Sequence, residues 1–221
     1  GALKKMSVNQ TTSTFQAVDK LRPAEAFTLD FRGSISRLNM FLQSGALFNS
    51  DISTDSDNTW DDGPTVDAHV YQGWVDDYYF KRFGRRGMDD RDSEVDSIVH
   101  PLARSESSRQ PANIVGTFIN NAFYCCDGLL VYGDGDGRIF TYLAGAFDVV
   151  AHEWTHGVTD SSSQLIYQDE SGALNEAFSD IMAASMEFYY QPVGVGSDRA
   201  DWQIAEDALL VHSWSGAPLE Q

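Results

Sequence analysis

The sequence predicts an α+β fold: a β-rich N-terminal lobe over residues 1–145, then two helices and the start of an α-helical lobe over residues 146–221. Three observations lead there. Phe27-Thr28-Leu29-Asp30-Phe31 alternates with the period of two expected of a half-buried strand. Phe147, Val150, Ala151, Trp154 and Val158 recur instead at helical spacing. Strand-like patterns precede Ala144 and helical patterns follow it, an order that points to α+β rather than to alternating βα units.

The elements follow in order along the 221 residues. Residues 50–64 are rich in Asp, Ser, Asn and Gly and read as a polar loop. Val66, Val70, Trp74, Tyr78 and Phe83 predict a helix over 66–83. Residues 84–113 are charged, with few apolar anchors, and read mostly as loop. Strand character returns over 116–142, where Gly133-Asp134-Gly135-Asp136-Gly137 is expected to form a tight turn between two strands. That string occurs once, without the array a calcium repeat requires. A second C-terminal helix is expected over 171–190, with Ser171 as N-cap and Ala173, Leu174, Ala177, Phe178, Ile181, Met182 and Met186 as its apolar set.

Composition narrows the function. A net charge of −18 excludes a phosphate-binding surface, so no nucleic acid is expected as partner. No apolar run approaches the ~20 residues of a membrane span, and no membrane partner is expected. The charge is uneven: residues 111–221 set only Arg138 and Arg199 against 16 acidic side chains. A solvated acidic surface would account for this, and so would carboxylates converging on metal ions. The two cysteines, Cys125 and Cys126, are adjacent and provide no disulfide framework. Free thiols, a strained bond between neighbours and pairing outside the chain all remain open for them. The opening Gly-Ala-Leu-Lys-Lys has neither an initiator Met nor an apolar signal core, which is expected of a processed product or a fragment.

The chemistry centres on His152-Glu153-Trp154-Thr155-His156. Histidines at i and i+4 lie on one helix face with Cβ atoms ~5–6 Å apart, so both rings can reach one ion. Glu153, one residue further round, can contact a water on that ion without being a ligand, the position of a general base. A catalytic zinc site needs a third protein ligand. Glu176 and Asp180 offer a second i, i+4 pair, one carboxylate for the metal and one to fix a ligand imidazole. A three-histidine site would continue with Gly at 159 and His at 162; those positions hold Thr159 and Ser162, which excludes that class.

The run HEWTHGVTDSSSQLIYQDESGALNEAFSD resembles the thermolysin-like neutral metalloproteases, secreted zinc endopeptidases of the gluzincin group. Asn120-Asn121-Ala122-Phe123-Tyr124, Val131-Tyr132 with the Gly-Asp string, and Asp148-Val149-Val150-Ala151 are similar to the same family in the same order. The likeness is densest over 117–187 and collinear from about Val66. It implies one catalytic Zn2+ on His152, His156 and Glu176, with Asp180 orienting His152. It implies Glu153 as the base that activates water and passes the proton to the leaving amine, and Tyr167 as a donor to the oxyanion. Asn121 and Ala122 would bind the backbone of a peptide or protein substrate. Phe140, Leu143, Val149 and Leu219 would surround a primed-side pocket favouring bulky hydrophobic residues. Asp148, Glu187, Asp201 and Glu206, with the carbonyl of Gln203, resemble a double calcium site, and Asp55 and Asp57 a further calcium loop. Two or more structural Ca2+ ions and a secreted location are therefore expected.

The sequence departs from the family where it ends. The helical lobe is expected to stop just as it begins, so that the missing part of that lobe becomes a partner of an otherwise monomeric chain. Glu220 stands where the family has an arginine that binds the substrate carbonyl. These departures lower the activity expected of this chain alone and leave a non-catalytic, metal-stabilised binding module as the second expectation. The presence of both Glu153 and Tyr167 speaks against that module.

Overall fold

The computed structural model describes residues 4–194, 196 and 198–210; Leu219 and Glu220 lie outside them. Two sheets and five helices of more than one turn make up an α+β fold. A small antiparallel sheet joins β1 (Asn9–Gln10), β2 (Phe15–Gln16) and β5 (Thr54–Asp55). The main sheet contains β3 (Val18–Asp19), β4 (Ala26–Asp30), β6 (Val95–Val99), β7 (Ala122–Cys126) and β8 (Leu129–Tyr132), in the spatial order β3-β4-β6-β8-β7. β4, β6 and β8 run parallel, and the outer strands β3 and β7 are antiparallel to their neighbours.

Alternation along the strands divides the core in two. Val95 and Val99 of β6, Leu130 and Tyr132 of β8, and Ala122 of β7 face one cluster with α2 (Gly63–Phe83), α4 (Phe147–Ser161) and α5 (Asp169–Tyr190). Ile98, Val131 and Leu29 face the other, against Leu38 of α1 (Ile35–Ser44) and Phe118 of α3 (Ala112–Phe118). Helices thus cover both faces of the sheet.

Several sequence expectations need correction. β6 runs through the middle of the main sheet, inside the stretch read as mostly loop. Its Asp96 and Ser97 interrupt the apolar pattern, and Ser97 is satisfied by a 2.6 Å bond to Gln72 of α2 that no local pattern reveals. The turn between strands falls at Asp127 and Gly128, both at positive φ (45° and 82°), in the two-residue hairpin that Asp-Gly favours. Residues 133–137 instead leave β8 as a structured loop: Gly135 donates to Ile119 O at 2.7 Å, and Asp136 Oδ1 accepts from the amides of Arg138 and Ile139 at 2.8 Å. At Gly135 φ is 66°, and a Cβ would lie 2.1 Å from Thr141 O, so only glycine fits. α2 begins three residues before the predicted start, capped by Asp62, which accepts from Thr65 N at 3.3 Å. α5 starts at Asp169 after Gln168; Ser171 lies inside the first turn, where its hydroxyl bonds back to Ile166 O and Gln168 O.

His100, at the end of β6, ties these parts together. Its Nδ1 lies 2.9 Å from Asp134 Oδ2 and its Nε2 3.0 Å from Asp62 Oδ1, with Asp30 also nearby. Burial opposes its charge, but the hydrogen bonds and negative charge of Asp134 and Asp62 prevail, and its pKa is pushed up to about 10. A raised histidine pKa stabilises the fold fully below the unfolded value of ~6.5, and that contribution is lost as pH rises through about 10. His100→Gln should therefore be less stable than wild type at pH 6 by urea denaturation. The difference should shrink steadily toward pH 10; a constant difference would show that the imidazolium contributes nothing.

Candidate metal centre

α4 is oriented by its apolar side. Trp154 is fully buried and stacks on Tyr79 of α2 with ring centroids 5.0 Å apart, while Thr155 Oγ1 meets the Tyr79 hydroxyl at 2.9 Å. With Val150, Ala151 and Val158 also in the core, His152, Glu153 and His156 are left facing the cleft beside β7. α5 packs along α4. Its inward face carries Gly172, Asn175, Ser179, Met182, Ala183 and Met186, whereas Leu174, Phe178 and Ile181 of the expected apolar set are exposed. The correction has a physical reason: the face turned to α4 must supply polar groups to the histidines.

Among the described residues, His152, His156 and Glu176 form a group whose ligand atoms all lie within 4.8 Å of one another. His152 Nε2 is 3.0 Å from His156 Nε2 and 3.1 Å from Glu176 Oε2; His156 Nε2 is 3.6 Å from Glu176 Oε1. The other ring nitrogens are both occupied. His152 Nδ1 pairs with Asp180 Oδ1 at 2.8 Å, and His156 Nδ1 with Asn175 Oδ1 at 2.8 Å. Each acceptor places the proton on Nδ1 and leaves the Nε2 lone pair free. Two lone pairs and a carboxylate then converge on one point, a donor set that fits a tetrahedral divalent zinc with one position left open. Asn175 was not anticipated from sequence. The available signal was its position one residue before Glu176, four before Ser179 on the same helix face.

Glu153 stays out of this donor set. Its Oε2 accepts the Tyr124 amide at 3.0 Å, and burial pushes its carboxyl above the ordinary range. The tether to Tyr124 was also not legible, because a backbone amide leaves no mark in sequence. A cavity of about 770 Å³ opens beside the histidines, lined by Asn121, Ala122 and Tyr124 on β7 and its approach, by Glu153 on α4, and by Tyr167 and Glu176 across from them. The Tyr167 hydroxyl donates to Glu176 Oε1, which pushes the phenol up to about 12. Leu143 and Val149 are buried in the core and Phe140 packs against it, none of them among the residues lining this cavity.

A family model described as the thermolysin metallopeptidase catalytic domain matches residues 1–160. The chain belongs to the thermolysin metallopeptidase family. The family's α-helical domain model matches residues 163–219. Bacillolysin of Bacillus cereus is 38% identical over 210 residues, 94% of this chain and 31% of its own length. Thermolysin of Alicyclobacillus acidocaldarius subsp. acidocaldarius is 37% identical over 207 residues, 90% and 32%. Neutral protease NprE of Bacillus pumilus is 34% identical over 212 residues, 95% and 60%. The solved precursor of protealysin, a metalloproteinase from Serratia proteamaculans, shares the fold with a TM-score of 0.57 and 24% identity over 82% of this chain and 47% of that one. The chain spans about a third of the length of the first two relatives.

In this thermolysin-family chain a second acidic group lies at the opposite end of the α4–α5 pair. Glu187 is fully buried, and among the described residues neither carboxylate oxygen has a hydrogen-bond partner. Burial, then Asp148 and Glu206, push its pKa up to about 9. Asp148 is pushed up to about 7 by burial, despite accepting from the amides of Ala205 and Val149. Asp201 Oδ1 accepts the Gln203 amide at 2.7 Å, and Glu206 Oε2 is buried without a partner. Asp55 and Asp57 instead spend their carboxylates on loop amides: Asp55 Oδ1 on Asp57 N at 2.9 Å, Asp57 Oδ1 on Thr59 N at 2.9 Å.

Elemental analysis of the purified chain should find about one zinc, and Glu176→Ala should lose it. Asn175→Ala should retain the ligands but bind zinc roughly 10–100-fold more weakly in competition with a chromogenic chelator, the usual cost of removing a partner that orients a ligand. Equal affinity would mean that Asn175 does not set the His156 tautomer.

Proposed function

We propose that the chain is the metal-bearing part of a zinc-dependent endopeptidase. The observation that carries this reading is the convergence of His152 Nε2, His156 Nε2 and Glu176 on one point, with Glu153 beside them but bonded elsewhere. A purely structural zinc site would be closed by a fourth ligand and would need no such carboxylate. Zinc, when bound, supplies a Lewis acid and a water acidified enough to attack a carbonyl near neutral pH. Glu153 takes the proton of that water and passes it to the leaving amine, a role suited to a carboxyl whose pKa is raised by burial. The Tyr124 amide holds Glu153 Oε2 in place for that role. Tyr167, exposed at the cavity rim, would be free to donate its hydroxyl to a developing oxyanion if Glu176 served as a metal ligand.

The substrate would be a peptide laid along Asn121 and Ala122. β7 is the outer strand of the main sheet, with one edge open for strand addition. Preference for bulky hydrophobic residues on the primed side is the reading carried by Phe140, Leu143, Val149 and Leu219. A partner lobe of helical character would seat on the exposed Leu174, Phe178 and Ile181 of α5. We further assign Ca2+ to Asp148, Glu187, Asp201, Glu206 and the Gln203 carbonyl, where both oxygens of Glu187 and Oε2 of Glu206 lack partners among the described residues, and a further Ca2+ to Asp55 and Asp57. Among the described residues no helix is long and apolar enough to cross a membrane. Secretion is proposed from the family resemblance and from the millimolar calcium that such sites suit.

Glu153→Gln is the direct test. It should keep its zinc and lose about 10²–10⁴-fold of the rate of cleavage of a fluorogenic peptide, in the range expected for general-base removal. Loss of zinc in step with activity would instead make Glu153 a structural residue. For calcium, the melting temperature of the wild type should rise with Ca2+ over a chelator-treated sample, and Glu187→Gln should lose most of that rise. An equal rise in both would remove Glu187 from the ligand set.

A further inference from the structure

Cys125 and Cys126 are unexplained by the metal centre, although Cys125 lines the same cavity. Neighbouring side chains on a regular strand point to opposite faces, which would hold two adjacent sulfurs apart. Here the pairing of β7 with β8 shifts register between Tyr124 and Cys126, a bulge that breaks the alternation. Both cysteines are exposed, and their Sγ atoms lie 3.2 Å apart, with Cys126 donating to Cys125. One residue before the pair, the Tyr124 amide holds Glu153.

We propose that Cys125 and Cys126 are a redox-active dithiol that reacts with low-molecular-weight disulfides and closes into a bond between neighbours, shifting the strand that holds Glu153. The Cys125 thiolate, which accepts the hydrogen bond, attacks one sulfur of the small disulfide, breaking its S–S bond and releasing one thiol. Cys126 then loses its proton and attacks Cys125 Sγ, expelling the second thiol. Two protein thiols are oxidised, one small disulfide is reduced, and the two protons end on the released thiols. Cys126 is the slower partner: the hydrogen bond to Cys125, burial, and the charges of Asp127 and Asp160 push its thiol up to about 11.

Two features make the closed form reversible and consequential. Adjacent Cα atoms are ~3.8 Å apart across a trans peptide, below the ~4.4–6.8 Å that disulfides prefer. Strained or exposed disulfides are the labile ones and are readily reduced. The sulfurs must also approach from 3.2 Å to about 2.05 Å, and the irregular backbone beside Tyr124 is where the strand can yield. The loss of one hydrogen bond to a charged group would cost roughly tenfold in rate. This second consequence rests on the reading of Glu153 as the base.

The test is incubation of the reduced 221-residue chain with glutathione disulfide, followed by intact mass, peptide mapping and amide exchange. The expected product is a monomer lighter by two hydrogens, without a glutathione adduct, that returns to two thiols with dithiothreitol. Cys126→Ser should stop at one glutathione adduct on Cys125. A persistent adduct on the wild type, a disulfide-linked dimer or two unreacted thiols would overturn the dithiol. Oxidation should speed exchange of the Tyr124 amide and lower peptide cleavage roughly tenfold, with neither change in the Cys125→Ser/Cys126→Ser double variant. Unchanged exchange would overturn the link to Glu153. A chain that cleaves nothing even when reduced would instead count against the peptidase reading, while mass and exchange still decide the dithiol.

Discussion

His152 and His156 can turn their Nε2 lone pairs toward a single point only because α5 holds the far side of each ring. Asp180 takes one Nδ1 and Asn175 the other, both at 2.8 Å, so the tautomers are set by the neighbouring helix rather than by α4 itself. This requires α4 and α5 to lie close and in fixed register, and the residues on the inward face of α5 follow from it. Asn175 and Ser179 meet His156, and the larger apolar side chains Met182 and Met186 enter only beyond the polar group. Without a cation, two lone pairs and a carboxylate face one another, so metal binding and the docking of α5 are energetically one process.

The same pair of helices repeats the device at its other end. Residues 148 and 187 come together there as 156 and 175 do near the ligands, which makes the pair antiparallel. Glu187 is buried with no partner for either oxygen among the described residues, a state that is costly for a charge and relieved by a proton or a cation. An apolar interface of the same size would cost less to bury. Charge is placed at both ends of the helix pair, with Val150 and Met182 of the core between, so apolar packing sets the distance and polar groups set the register.

Parts of this arrangement were legible in the sequence because they depend on spacing. Two histidines and two carboxylates at i, i+4 declare a helix face whatever surrounds it. Asn175 left only the faint signal of its place on the face of Ser179, because an asparagine on a helix has no periodic signature of its own, and the Tyr124 amide left none. β6 was hidden for a similar reason: its parallel neighbours are distant in sequence, and its Ser97 is buried only because Gln72 of α2 meets it. The Asp-Gly hairpin was readable, but the longer Gly-Asp string drew the turn five residues downstream. The apolar stripe of α5 was misplaced because the helix buries its functional face and exposes Leu174, Phe178 and Ile181.

Glu153 belongs to α4, but its geometry depends on β7. A side-chain partner could be lost by substitution, whereas the Tyr124 amide persists through any replacement except proline and responds only to the path of the strand. β7 is an outer strand with a bulge, a feature that protects a free edge from unwanted pairing. An edge left open for the proposed peptide binding cannot also be covered, so its protection must come from shape. The bulge provides that shape immediately after the residue that holds Glu153. Any ligand or modification that straightens or tightens the strand there acts on Glu153 through a single hydrogen bond, with no need to disturb His152, His156 and Glu176 on the helices.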